Sequence, residues 1–273
     1  MKSPLPGVNV MLLGASGVGK TYSIRTLVDA GITPFCVFTE PGFEVLGDIP
    51  ADKLHWHYIA PGGQTWATMK QMADILNKLS FEGITKMSDS GRTQYNQYVQ
   101  LMGTFNSFVC DRDGKTYGDV GTWGTDRCIV LDGLSGLGTM AMGLIVGGKP
   151  VRHQGDWGVA MQLVENLIGK LCTDTQAHFV LIAHTERELD EVQGSSRIMA
   201  STLGKKLAPK IPRFFSDVIL AERLGTAYTW NTASPLADLK TRNLPTKSDL
   251  RPDFAPILEN WKKQGGTITP DTE

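Results

Sequence analysis

Val8-Asn9-Val10-Met11-Leu12-Leu13-Gly14-Ala15-Ser16-Gly17-Val18-Gly19-Lys20-Thr21-Tyr22-Ser23-Ile24 runs from an apolar stretch through a glycine-rich turn into a segment of helical pattern. The apolar stretch predicts a strand over residues 8–13, and the periodicity that follows predicts a helix over 22–30. Between them lies Gly-x-x-x-x-Gly-Lys-Thr, the P-loop pattern, in the strand-to-helix setting that gives it chemical meaning. Glycines let backbone N–H groups converge on phosphate oxygens, and the helix start adds the positive end of its dipole. Gly14, Ser16, Gly17, Val18, Gly19, Lys20 and Thr21 are therefore assigned to a bound nucleoside triphosphate, ATP. Lys20 is expected to reach the β- and γ-phosphates, and the Thr21 hydroxyl to take one position on Mg²⁺.

Outward from this turn, residues 35–39 repeat the strand signal after Gly31 and Pro34. Strand, helix and strand form a βαβ unit, which the right-handed crossover rule makes a parallel pair. Residues 54–59 read as a further strand. Residues 66–79 put Trp66, Met69, Met72, Ala73, Leu76 and Leu79 on one helical face. Residues 85–127 break the rhythm and read as an insertion packed on the core. Tyr95, Val99, Met102 and Phe105 have helical spacing there, and a hairpin turns at Asp113-Gly114-Lys115. Strand (128–131), helix (159–171) and strand (179–183) then resume, which predicts an α/β fold with a doubly wound, mostly parallel sheet. Residues 185–213 are polar around Gly194-Ser195-Ser196 and read as a long functional or mobile connection. Short strands over 217–221, 227–230 and 237–240 finish the sheet, with antiparallel pairing at the C-terminal end, and 254–263 is a helix. Residues 1–264 are expected to form one domain and 265–273 a frayed tail.

Composition narrows the class of function. The 273 residues carry 27 basic and 28 acidic side chains, so overall charge does not announce a nucleic-acid or membrane protein. The N-terminal residues lack the apolar core of a signal peptide, and no run nears the ~18 apolar residues of a membrane span, which points to the cytoplasm. Cys36, Cys110, Cys128 and Cys172 are scattered without C-x-x-C spacing and read as buried reduced thiols. His55 and His57 flank Trp56 in a strand-like stretch and read as structural rather than metal-binding.

A Mg²⁺ site needs a carboxylate at the end of a neighbouring strand. Cys128-Ile129-Val130-Leu131-Asp132 supplies one, so Asp132 is assigned to the metal, directly or through water. AAA+ ATPases usually follow this aspartate with a water-activating glutamate, but here Gly133 follows. The base must come from elsewhere. Glu40, ending the strand Phe35-Cys36-Val37-Phe38-Thr39, is the candidate for polarising water. The alternatives are that Glu44 serves instead, or that Glu40 simply caps the following turn.

Together these positions resemble the RecA-type recombinase and ATPase core. In that family the next strand ends in a polar residue that senses the γ-phosphate and starts a mobile DNA-contacting loop. Here that strand, Phe179-Val180-Leu181-Ile182-Ala183, ends in His184, where most recombinases have glutamine. Lys240 and Arg242 in Leu239-Lys240-Thr241-Arg242-Asn243 look like the K-x-R strand that the family inserts into a neighbour's ATP site; a solvated basic edge is the other reading. No DNA-binding domain is read ahead of the P-loop. The chain is similar to the compact, core-only RecA-like proteins of bacteriophages, including the Sak-type single-strand annealing recombinases. The insertion before Asp132 and the segment Gln154-Gly155-Asp156-Trp157 share in that likeness.

The resemblance implies an oligomer, ring or filament, that binds single-stranded DNA and hydrolyses ATP in the cytoplasm of a bacterial host. It also implies room for a single-strand-binding protein or another replication or recombination partner. Candidate DNA contacts are Lys149, Arg152 and His153 after Asp132, and Arg187, Arg197, Lys205, Lys206, Lys210 and Arg213 after His184. Glu186, Glu188, Asp190 and Glu191 interleave with the second group, as on an ordinary solvated face. An assembly, packaging or replication ATPase acting on a protein partner, and a nucleotide kinase, are the rival classes.

Overall fold

The computed structural model describes residues 5–60, 65–87, 95–190, 195–204 and 206–270. The first apolar run forms β1 (Asn9–Gly14), followed by α1 (Lys20–Ser23) and α2 (Arg25–Asp29). Ile24 joins the two helices with helical dihedrals (φ −58, ψ −28), so they run on as one. Next come β2 (Thr33–Phe38), β3 (His55–Tyr58), α3 (Trp66–Leu76), α4 (Phe81–Thr85) and α5 (Gln97–Asn106). After these follow β4 (Arg127–Asp132), α6 (Leu134–Val146), α7 (Gln154–Thr173), β5 (His178–Asp190) and β6 (Ser195–Ala200). The described chain ends with β7 (Asp217–Leu224), β8 (Ala227–Asn231) and α8 (Ala255–Lys263).

The sheet runs β3-β2-β4-β5-β1-β7-β8, with β6 paired to the far part of β5. Every pairing from β3 to β7 is parallel, whereas β7–β8 and β5–β6 are antiparallel. The doubly wound, mostly parallel sheet with antiparallel C-terminal strands is therefore present. Alternation along β1 sends Met11 and Leu13 to one face, Val10 and Leu12 to the other. On the first face they meet Leu101, Leu137 and Ile168 of α5, α6 and α7; on the second, Ile24, Leu27, Ile257 and Trp261. Both faces of a parallel sheet are covered, as its near-continuous apolar strands require.

Four sequence readings need correction. α6 was not anticipated, because Gly136, Gly138 and Gly143 lower its helix propensity; burial of Leu134, Leu137 and Met140 overrides that deficit. The polar stretch after His184 is not a long loop: β5 continues to Asp190 and pairs with β6, and a 3-10 turn over Ala208–Phe214 follows. Residues 237–240 form only isolated bridges, Ile198 to Ala237 and Val218 to Lys240. Residues 265–270 dock rather than fray, since Asp126 N–H donates to Thr269 O and Thr125 Oγ1 donates to Thr267 O.

The insertion hairpin does form, with Tyr117 N–H donating to Phe108 O and Cys110 N–H to Lys115 O. Its turn covers the open edge of β3: Asp111 N–H donates to Trp56 O, and Tyr58 N–H donates to Asp111 Oδ2. Capping an edge strand in this way blocks pairing with other chains. Among the described residues nothing covers the apolar face read for α3, where Trp66 is 87% exposed, and on α4 Phe81 is 79% exposed.

His178, fully buried at the start of β5, accepts the Val8 N–H at Nδ1 and meets the Trp261 ring edge-on. Burial pushes its pKa down to about 4, so below the unfolded value of 6.5 the unfolded chain takes up a proton that the folded chain resists. Folding stability should therefore fall by about 3 kcal/mol as pH drops from 6.5 to 4. Urea titrations across that range measure the loss, and His178→Asn, whose carbonyl can take the Val8 bond, should flatten the slope.

Candidate nucleotide site

The parallel ladders bring the strand ends together. Gly14 lies opposite His184, and Asp132 lies opposite both Ile182 and Phe38, two residues before Glu40. The P-loop, Asp132, Glu40 and His184 thus converge at the C-terminal edge of the sheet, although they are spread over some two-thirds of the chain. This is where open α/β sheets bind ligands.

In the loop after β1, Gly19 takes φ +81, a left-handed conformation that favours glycine, and opens α1 directly after it. Lys20 is 6% exposed, and its ammonium donates to Gly14 O at 2.9 Å and Ala15 O at 2.8 Å. Desolvation lowers its pKa, opposed by the charges of Asp132 and Glu40. The Thr21 hydroxyl donates to Asp132 Oδ2 at 2.6 Å. Desolvation raises the Asp132 carboxyl above its ordinary range, while the Thr21 bond and Lys20 pull it back. A buried cation, a hydroxyl and a carboxylate side by side fit a phosphate chain and a hard divalent cation, because oxygen ligands suit Mg²⁺ and the ammonium suits phosphate.

Glu40 is held on both oxygens. Oε2 lies 3.0 Å from His184 Nε2, and Oε1 accepts the Gly136 N–H, in the first turn of α6, at 3.0 Å. The His184 bond above all, then the Gly136 amide and Lys20, hold the carboxyl below its usual range against desolvation. The α6 N-terminus adds a favourable dipole. Glu44 is exposed on a neighbouring 3-10 turn, and the bonds that tie Glu40 into the cluster have no counterpart there among the described residues.

Gly133 has a steric reason. Its φ is +116, and a Cβ there would lie 2.2 Å from Thr39 Oγ1 and 3.0 Å from Glu40 Cγ. The side chain of Glu40 occupies the space into which an acid at position 133 would have to grow. Thr39, completely buried, secures the arrangement by donating to Gly133 O at 2.6 Å.

The other candidates scatter. Lys240 bridges to Val218 and Arg242 sits in a turn, so the two cations do not share one strand face as expected. Asp217 imposes that turn, accepting from the Thr241 hydroxyl, the Arg242 and Asn243 amides and the Asn243 side chain. Asp217 pairs with Val10, whereas the P-loop follows Gly14, so Lys240 and Arg242 lie toward the opposite end of the sheet from Lys20. This buried aspartate was missed; its only sequence signal is an acid opening an apolar strand.

Among the DNA candidates, Arg187 is exposed on β5, and Arg197 on β6 pairs with Asp238. Arg152 lies over the Trp157 ring at 5.4 Å, His153 is exposed before α7, and Lys149 Nζ is 3.9 Å from Asp156 Oδ2. Lys206 is exposed, and Lys205 falls outside the described residues. Lys210 and Arg213 are bound to Glu165 of α7, which makes them structural pairs. A cavity of about 640 Å³, lined by Ser135, Thr139, Trp157, Arg187 and Thr202 among others, separates the α6 and α7 starts from the β5–β6 hairpin.

A family model described as an AAA domain matches residues 7–235, a span that includes the P-loop, Glu40, Asp132 and His184. The crystal structure of the RadB recombinase aligns with 90% of this chain and 86% of its own, at 11% identity and a TM-score of 0.41. No curated protein matches the chain. No helix among the described residues is long and apolar enough to cross a membrane.

Gly133→Ala should destabilise the fold by about 1–3 kcal/mol through overpacking against Thr39. A urea midpoint lowered accordingly, next to an unchanged Gly155→Ala control with open space at its Cβ, is the expected result.

Proposed function

This chain belongs to the AAA-domain family, and from that premise we propose that it is an oligomeric, RecA-like ATPase that binds single-stranded DNA and couples ATP hydrolysis to DNA annealing or recombination. The observation that carries the reading is the bond between Glu40 and His184. It ties the candidate base to a strand that runs on, unbroken, into an exposed hairpin.

In this reading the loop amides and Lys20 hold phosphate oxygens, and Thr21 and Asp132 hold Mg²⁺. Bound Mg²⁺–ATP supplies an electrophilic γ-phosphoryl group and the charge that stabilises its transfer. Glu40 stays ionised through Gly136 and His184, and accepts a hydrogen bond from water at a lone pair those partners leave over. A shift of His184 alters the orientation of Glu40, so strain on the hairpin reaches the water-polarising carboxylate. Lys240 and Arg242, lying away from their own P-loop, suit action on a neighbour's site in a head-to-tail ring or filament. Arg187 and the Arg152–Trp157 pair offer a cation and a stacking platform to single-stranded DNA on the hairpin side.

Lys20→Ala should lower ATP turnover about 100-fold or more in a phosphate-release assay, since it removes the main cation at the transferring group. His184→Ala should keep nucleotide affinity and lose stimulation by single-stranded DNA. Electron microscopy with single-stranded DNA and a non-hydrolysable ATP analogue should yield rings or filaments; unchanged monomers would refute the assembly.

The exposed apolar faces of α3 and α4, with Trp66 and Phe81 outermost, favour a second reading: an assembly ATPase acting on a protein partner. Nucleotide-dependent capture of one protein, with turnover indifferent to DNA, would select it.

A further inference from the structure

At the end of the sheet opposite the P-loop, β3 begins with His55, and the insertion hairpin turns beside it through Cys110, Asp111, Arg112, Asp113 and Gly114. His55 is 4% exposed, and its Nδ1 is buried with no hydrogen-bond partner among the described residues. A buried orphan nitrogen is costly and calls for an explanation. Two groups face it. The Cys110 thiol is fully buried, and Asp113 Oδ2 lies 4.0 Å from Nδ1. A ring nitrogen of His55, the Cys110 sulfur and a carboxylate oxygen of Asp113 all lie within 4.8 Å of one another.

We propose that His55 Nδ1, Cys110 Sγ and an Asp113 oxygen form a binding site for a borderline divalent transition ion of the Zn²⁺ class, pinning the insertion hairpin to the edge of the sheet. Imidazole and thiolate together select such an ion over Mg²⁺ or Ca²⁺, which take oxygen. The turn is built for the task. Cys110-x-x-Asp113-Gly114 presents two ligands from one tight bend, closed by the Gly114 N–H on Cys110 O and by Gly114 at φ +68. The Arg112 N–H points at Cys110 Sγ from 3.4 Å, the kind of donor that supports a thiolate. Asp113 is oriented by the Lys115 N–H on Oδ1 and the Tyr117 hydroxyl on Oδ2, an outer set of bonds typical of metal-binding carboxylates. His55 stacks on Phe35 at 4.6 Å and meets the tilted Tyr117 ring at 4.3 Å, which holds its ring in place.

Zn–N and Zn–S distances of about 2.0 and 2.3 Å put tetrahedral ligand atoms roughly 3.5 Å apart, so closure needs side-chain shifts of about 1 Å. On binding, the Cys110 thiol gives its proton to solvent and the thiolate, the neutral imidazole and the carboxylate donate electron pairs to the ion. His55 and Asp113 also line a cavity of about 560 Å³ with Thr33, Lys115 and Arg127, from which a water can take the fourth position. The missing cue was spacing: a search for C-x-x-C passes over C-x-x-D.

Titration of the full, nucleotide-free chain with Co²⁺ tests the site. One equivalent should bind with a sulfur-to-cobalt charge-transfer band, which Zn²⁺ then displaces. Cys110→Ser should lose the band, Cys172→Ser should keep it, and Asp113→Asn should weaken binding at least tenfold. Since the P-loop offers no thiolate, the band separates this cluster from the nucleotide site, and its loss in Cys110→Ser separates it from the other three free cysteines. Absence of the band in the wild-type chain, its survival in Cys110→Ser, or wild-type affinity in Asp113→Asn would each overturn the proposal. Asp113→Asn leaves the buried thiol in place, so the test stands even if Cys110→Ser fails to fold.

Discussion

One carboxylate, Glu40, carries an unusual share of the molecule's organisation. It stands just past β2, takes the first turn of α6 on one oxygen and the His184 ring of β5 on the other, and feels the charge of Lys20 at the start of α1. Two strands and two helices meet on it. That meeting is possible only because the parallel ladders stop in register, and a slip of one residue would send each of these side chains to the other face of the sheet. The constraint also reaches backwards into the sequence: position 133 must lack a side chain because Glu40 and Thr39 fill its space.

Much of this was legible in the chain. The P-loop, the apolar strands ending in Glu40, Asp132 and His184, and the hairpin at Asp113-Gly114 are local patterns, and local patterns survive folding. What escaped depends on partners far away in sequence. α6 is a poor helix by composition and exists because its apolar face is buried between α5, α7 and the sheet. Beyond His184 the residues are polar because β5 and β6 leave the body of the sheet as a ribbon open to water, which reads like a loop. Asp217 looked like the start of a strand and proves to accept four hydrogen bonds from the turn bearing Arg242, which it shapes. Periodicity cannot show such a role, since it lies in who approaches the residue and not in the residue itself.

Covering of the sheet's surfaces is uneven, and the unevenness has meaning. The insertion invests backbone bonds and an aspartate in closing the edge of β3, while the helices just before it in the chain expose Trp66 and Phe81. Among the described residues, an edge that could pair indiscriminately is closed, and an apolar face that needs shape complementarity to be covered is left open. Selection against promiscuous contact and tolerance of specific contact thus coexist within one stretch of chain.

The ribbon formed by β5 and β6 is anchored at three points: His184 O takes the Ser201 N–H, Ile198 N–H reaches Leu236 O, and Arg197 pairs with Asp238. A ribbon fixed only at its root would bend freely, like a flap. Fixed also along its return strand to the segment that leads to Lys240, it behaves as a beam with two supports, stiff between them. A load on β5 or β6 is then borne both at the His184 end and at the 236–240 end. Both ends feel it at once.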